Sequence, residues 1–192
     1  MGVVVVGLGT EGNAVVDRVH ARRQPGVHCV ALDTDARALE GRRTPVRVLM
    51  GWEMLQGDGA SCGAGAIATA VHKTRGEILK ALGGEREVVL VARLGSEEAD
   101  AAVRKVVEIV ADGLRRVRVL GILPIGAEAD ARRKGEALFA ELGALLDKTE
   151  ILALPEQPQD PGMTLRLLNE RVESVLDEAA NRVEAMIAGE RE

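Results

Sequence analysis

Six residues near the N-terminus, Gly7-Leu8-Gly9-Thr10-Glu11-Gly12, fit GxGxxG, directly after a β-branched run and at the opening of a helical pattern. Glycines at this spacing let the backbone come close to phosphates. The helix that follows offers unpaired N–H groups and a partial positive charge to an anion. Asp33 lies about 20 residues further on, at the end of a second apolar run, where a carboxylate can accept hydrogen bonds from a ribose. On these residues alone, an NAD-binding dinucleotide domain is one reading and a tight strand-to-helix turn without ligand is another. A second glycine-rich stretch, Gly51 to Gly65, is too long for a mere connector, and long loops in compact domains are usually functional.

Other reactive side chains form no constellation. His20, His28 and His72 are scattered, and Cys29 and Cys62 have no companions at metal-ligand spacing, so no metal site is expected. The two cysteines read as small buried hydrophobes in a reducing compartment. Ser61 and Cys62 lack a nearby base in sequence, and Ser96, followed by Glu97 and Glu98, reads as a helix N-cap with first-turn acids, so nucleophilic catalysis is not expected. Trp52 reads as a packing residue, and Arg132-Arg133-Lys134 as a solvated helix face.

The elements that would position the glycine loop alternate along the chain. Val3 to Val6 has the continuous β-branched character of a strand buried on both faces. A helix over Asn13 to Arg22 follows, stopped by Gln24-Pro25-Gly26, and then a strand over Val27 to Leu32. Val46 to Met50, Val88 to Ala92, Val117 to Leu123 and Glu150 to Leu154 read as further strands. Between them, Ile67 to Leu82, Ser96 to Val110 and Ala131 to Leu146 keep helical spacing. The last stretch sets Leu168, Val172, Val175, Leu176, Ala179, Val183 and Ile187 on one stripe, a long amphipathic helix over 164–188. The pattern predicts one α/β domain over 1–192, a Rossmann-like three-layer fold with a parallel sheet, a long C-terminal helix, and ligands at the carboxyl ends of the strands.

Composition narrows the partners. One Phe, one Trp and no Tyr leave no aromatic platform for base stacking, and a net charge of -5 with both signs interspersed gives no basic stripe, so nucleic acid is not expected. The longest N-terminal apolar run lacks the length and basic flank of a signal or membrane segment, so no membrane partner and a cytoplasmic location are expected.

Several short segments, in order, resemble the nucleotide-binding half of the FtsZ/tubulin family. Gly7 to Asn13 is similar to that family's first glycine loop, including the Asn after the last glycine. Asp33-Thr34-Asp35-Ala36-Arg37-Ala38-Leu39 resembles its Asn-Thr-Asp-Ala-x-x-Leu segment, differing at the first residue, and Gly57-Asp58-Gly59-Ala60 resembles its γ-phosphate-sensing loop. Pro124, Glu128 and Arg132 reproduce the spacing at which the family places a Glu on the ribose and an Arg nearby. The resemblance implies GTP or GDP with Mg²⁺ as the ligand. Its implied nucleotide contacts are Gly7, Gly9, Gly12, Asn13, Asp33, Gly57, Gly59, Ala60, Gly95, Ser96, Glu128 and Arg132.

The departures matter as much. The family's phosphate loop, Gly-Gly-Gly-Thr-Gly-Thr-Gly, falls here on Gly95-Ser96-Glu97-Glu98-Ala99-Asp100-Ala101. A carboxylate about 6 Å from a phosphate charge costs on the order of 2 to 3 kcal/mol at an effective dielectric of 20. Pro155-Glu156-Gln157-Pro158 stands where the family has a guanine-contacting Asn, and Val172 or Glu173 where its long helix carries a guanine-contacting Asp. The resemblance runs out with that helix, so neither the catalytic loop nor the second domain is expected, and autonomous GTP hydrolysis is not. Three functions follow: a weak or conditional guanine-nucleotide binder whose output is self-association or partner binding; a nucleotide-free pseudo-enzyme that partners related filaments; and an NAD-binding domain.

Overall fold

The computed structural model describes residues 2–59, 62–113, 115–123, 129–143, 146, 148–152 and 165–189, with side chains left out at 148–152, 165–169 and 171. The valine run forms β1 (Val3–Leu8), every residue of it buried. Gly9, at φ 74°, turns the chain straight from β1 into α1 (Gly9–Ala21), so the helix starts four residues before the expected Asn13 and takes Gly12 and Asn13 into its first turns. There follow β2 (Val27–Asp33), α2 (Ala36–Glu40), β3 (Val46–Leu49), α3 (Trp52–Leu55), α4 (Ala64–Lys73), α5 (Arg75–Leu82), β4 (Glu87–Arg93), α6 (Glu97–Ala111), β5 (Arg116–Ile122), α7 (Ala129–Gly143), β6 (Lys148–Leu152) and α8 (Leu165–Ala188).

All the strand pairings are parallel and the order is β3-β2-β1-β4-β5-β6, with Val3 opposite Val27 on one side and Glu87 on the other. Alternation along β1 divides the core. Val4 and Val6 join a cluster with residues of α4, α5, α6 and α7, while Val3 and Val5 join a second with α1 and α8. The expected three layers with both sheet faces covered are therefore present.

Two local expectations need correcting. The helix expected over Ile67 to Leu82 is broken at Thr74, whose Oγ donates to the Ala70 carbonyl (2.9 Å) and accepts from the Gly51 N–H (2.7 Å). A side chain that bonds its own preceding turn competes with the helix ladder, and here it also anchors the loop beside it. The glycine-rich stretch is not all loop. It contains α3, set between Gly51 and Gln56 at φ 71° and 50°, a helix too short to carry a periodic signal.

The terminal helix docks on α1 and the sheet. Leu176, Ala179, Ala180, Val183, Met186 and Ile187 are buried. Arg18 pairs with Glu173 and with Asp177 (2.9 Å), and Arg22 with Glu184 (2.5 Å). The buried Arg118 of β5 donates to the Met186 carbonyl.

Candidate nucleotide-type cleft

A cleft of about 450 Å³ opens at the carboxyl ends of β1, β2 and β4, bordered by Leu8, Asp33 and Arg93. It lies where the strand order reverses around β1, the place at which open α/β sheets gather ligands. One wall is the start of α1, with Gly9, Thr10 and Glu11. The opposite wall is α6, with Ser96, Glu98 and Ala99, and the turn after β2 and Gly59 form a third side.

Of the residues marked out in the sequence, Gly9, Asp33, Gly59 and Ser96 line this cleft. Others support it from behind. A Cβ at Gly12 would lie 2.2 Å from the Val91 carbonyl oxygen, so this glycine lets α1 lie against β4. A Cβ at Gly7 would lie 2.7 Å from both Asn13 Oδ1 and the Gly12 carbonyl oxygen. Asn13 is fully buried, and its Nδ2 donates to the Leu32 carbonyl (3.0 Å) and to Asp33 Oδ2 (3.2 Å). It ties the end of β2 to α1. Gly57, at φ 81°, accepts at its carbonyl from the Ala36 N–H (3.0 Å), and Gly59 packs on Thr34, whose Oγ a Cβ would meet at 2.0 Å. Arg132 lies on α7 with its Nε on Glu136 (3.1 Å), and Ala60, Pro124, Glu128 and Pro155 to Pro158 lie outside the described residues.

Asp33 is buried, and its Oδ1 accepts from the Asp35 N–H (3.1 Å). Burial pushes its carboxyl above the ordinary range, with the neighbouring backbone N–H groups pulling the other way. Asp35 is itself the N-cap of α2, accepting from the Arg37 N–H (2.8 Å).

The start of α6 is where the sequence placed the altered phosphate loop. Ser96 caps the helix as expected, its Oγ accepting from the Ala99 N–H (3.2 Å). Asp100, the third acid of the altered loop, is buried and reaches back so that its Oδ1 accepts from the Gly95 N–H (2.9 Å). Gly95 sits at φ 104° and packs so closely on α7 that a Cβ would lie 2.5 Å from the Ala131 carbonyl oxygen. Glu97 turns to Lys134 (3.3 Å), whereas Glu98 faces the cleft. Asp100 follows Ser96 by four residues, one more than the capping-box spacing, so the usual motif does not find it.

The cleft is acidic. Among the described residues, Glu11, Asp33, Asp35 and Glu98 line it against Arg93, and Arg93 is paired with Glu11 (2.9 Å). No group of three or more His, Cys, Asp or Glu placed to hold a metal ion occurs among the described residues. The start of α6 suits a phosphate poorly, because the protein's own oxygens already take the Gly95 and Ala99 N–H groups and the Glu98 carboxylate faces the cleft there. The start of α1 fits better: its capping position is Leu8, which provides no side-chain acceptor. No described helix is long and apolar enough to cross a membrane.

No family model matches the chain. It is 27% identical over 163 residues to the cell division protein FtsZ of Magnetospirillum gryphiswaldense, covering 81% of this chain and 27% of that protein. It is 29% identical over 135 residues to cell division protein FtsZ 1 of Halobacterium salinarum, covering 68% and 33%. Among solved structures it superposes on an FtsZ dimer of M. jannaschii with TM-score 0.80 at 20% identity, over 97% of this chain and 54% of that one. CetZ of Methanosaeta thermophila gives TM-score 0.75 at 13% identity, over 98% and 54%. The chain thus spans about a quarter to a third of those two sequence relatives and about half of those two structures. These likenesses favour the tubulin-type reading of the first glycine loop over the dinucleotide one. The ordered motifs, the strand order and the relatives converge: the chain is similar in sequence to FtsZ proteins and shares the fold of the FtsZ and CetZ structures.

Proposed function

We propose that this chain is a cytoplasmic, cell-division-related protein that works as a structural or regulatory partner, associating with a filament-forming relative or with a second copy of itself, and does not hydrolyse GTP on its own. The observation that carries this is the charge of the cleft: Glu11, Asp35 and Glu98 face the space a nucleotide would enter, and the guanidinium of Arg93 is engaged by Glu11. Phosphates brought there meet like charge in a partly desolvated site, where repulsion between close charges amounts to a few kcal/mol.

A second reading, conditional binding of GTP or GDP with Mg²⁺, is favoured by the start of α1, where Gly9 and Thr10 border the cleft and no side chain caps the helix. Titration calorimetry with GTP, GDP, ATP and NAD, with and without Mg²⁺, separates the two. Absence of heat for all of them, together with co-sedimentation with polymerised FtsZ or concentration-dependent self-association, is the expected result. Micromolar guanine-nucleotide binding by the wild type would transfer the conclusion to the second reading. A chain that stays monomeric across a concentration series and ignores FtsZ polymer would refute the partner role.

A further inference from the structure

We propose that the basic, partly apolar surface formed by α2, the edge strand β3 and α3 docks an acidic segment of a partner protein, one that carries apolar side chains among its carboxylates. The exposed large hydrophobics of the described residues all fall in this stretch: Val46 and Met54 at 39%, and Trp52, which the sequence alone reads as a packing residue, at 59%. Trp52 is held in place by its turn. Left-handed residues bound α3 on both sides, the Thr74 Oγ fixes the Gly51 N–H, and the indole lies beside Gly57, where a Cβ would stand 3.2 Å from Trp52 Cζ3 and 3.0 Å from the Ala36 Cβ. The ring therefore borders the start of α2. Arg47 reaches the other end of that helix, its Nη1 donating to the carbonyls of Leu39 (3.4 Å) and Glu40 (3.5 Å). A large aromatic side chain fixed before binding loses little freedom when a partner covers it, as do the side chains that dominate interfaces.

Charge selects the occupant. Residues 37–47 hold four arginines against one glutamate, in a chain whose net charge is -5. Arg37 and Arg43 are exposed and make no ion pair among the described residues. A two-fold pairing of copies through this edge would bring arginine to arginine. β3 is also a short strand with Pro45 before it and Arg47 within it, features that keep sheet edges from pairing with their own kind. An anionic bilayer is met less well, because α3 is a single turn in which Glu53 separates Trp52 from Met54. A carboxylate-bearing segment answers the arginines while its apolar side chains cover the indole. Neither these arginines nor the three exposed hydrophobics line the cleft. The surface rests on the partner role proposed above and gives that partner a chemistry.

The test pans a displayed library of random short peptides on the whole protein and titrates synthetic copies of the enriched sequences. Trp52 is the chain's one Trp, so its emission reports on this surface alone. Enriched peptides should combine Asp or Glu with Leu, Ile or Phe, shift the Trp52 emission to the blue, and bind more weakly as salt rises. Arg37→Glu with Arg43→Glu, at exposed positions, should weaken them about tenfold or more, and Trp52→Ser, read by calorimetry, should do the same. A library that yields no binder of this composition, or binders indifferent to both variants, overturns the inference. So does a Trp52 shift produced by phosphatidylserine vesicles and not by the peptides, or a self-association of the chain that Trp52→Ser abolishes. If a variant does not fold, the composition of the enriched peptides and the wild-type Trp52 shift decide the matter. FtsZ polymer takes no part, so the two readings fail separately: a chain that ignores that polymer and binds these peptides keeps the surface, whereas one that co-sediments with it and enriches no such peptide keeps the role and loses the surface.

Discussion

Gly12 is the position at which the local and tertiary preferences of this chain oppose each other most directly. Alanine is better than glycine inside a helix by about 1 kcal/mol, so on local grounds Gly12→Ala should stabilise α1. The structure predicts the reverse. The new methyl would sit 2.2 Å from the Val91 carbonyl oxygen, more than about 1 Å inside comfortable contact. Val91 cannot retreat, because β4 is held between β1 and β5, with Gly7 opposite Val91 on one side and Leu120 on the other. The helix must withdraw instead, and Val15, Val16 and Val19, each at most 1% exposed, withdraw with it. A gap of about 1 Å forfeits a quarter to a half of each contact, and overpacking of this kind costs about 1–3 kcal/mol. After the helix-propensity gain of about 1 kcal/mol, the net loss is up to about 2 kcal/mol, a drop of up to roughly 8 °C in melting temperature for a chain of this size. Gly76 in α5 supplies the control: a Cβ there meets nothing within 4 Å, so Gly76→Ala should gain about 0.4–1 kcal/mol. Urea unfolding of both variants measures the difference. A Gly12→Ala protein stabilised as much as Gly76→Ala would show that α1 does not lie this close to β4, and the packing role of the loop's third glycine would fall with it.

Ser96→Ala removes the α6 cap and should cost about 1 kcal/mol by the same urea assay; no change would mean that Asp100 alone holds that end. Burial raises the carboxyls of Asp33 and Asp100 above their ordinary value of 3.8, so the folded state holds these protons more tightly than the unfolded one. The stability they contribute is fully present below that value and is lost as pH rises through their folded pKa values. Asp100→Asn removes one share of this, so the stability of the variant relative to the wild type should climb as pH rises above the ordinary carboxyl value of 3.8, and a flat difference would contradict it. Arg18 joins α1 to Glu173 and Asp177 of α8 at a partly exposed site, so Arg18→Ala should cost no more than about 1 kcal/mol and the loss should shrink in high salt.

Much of the architecture was legible because it is periodic. A β-branched run between glycines can be satisfied only by burial on both faces, which is why β1, β2, β4 and β5 were readable along with the parallel sheet they require. The stripe of α8 gave its long helix, and the Ser96-Glu97-Glu98 signature gave the start of α6, because capping acts within one turn of chain. Where a side chain acts on something distant in sequence, periodicity is silent. Thr74 ends α4 through Gly51, 23 residues away. Asn13 turned out to brace Leu32 and Asp33, and Gly12 to face Val91, so two members of one glycine motif serve the packing of the turn while Gly9 and Thr10 border the cleft.

The sequence by itself determined that glycines and helix starts would meet at the carboxyl edge of a parallel sheet, since strand–helix alternation leaves that edge as the place where the loops converge. Only the tertiary structure decided what the edge presents. Folding brings Glu11, Asp35 and Glu98 from three separate segments around one space, engages Arg93 with Glu11, and turns Asp100 back onto Gly95. Those outcomes depend on distances between groups far apart along the chain, and on which backbone donors remain unclaimed once the helices are packed.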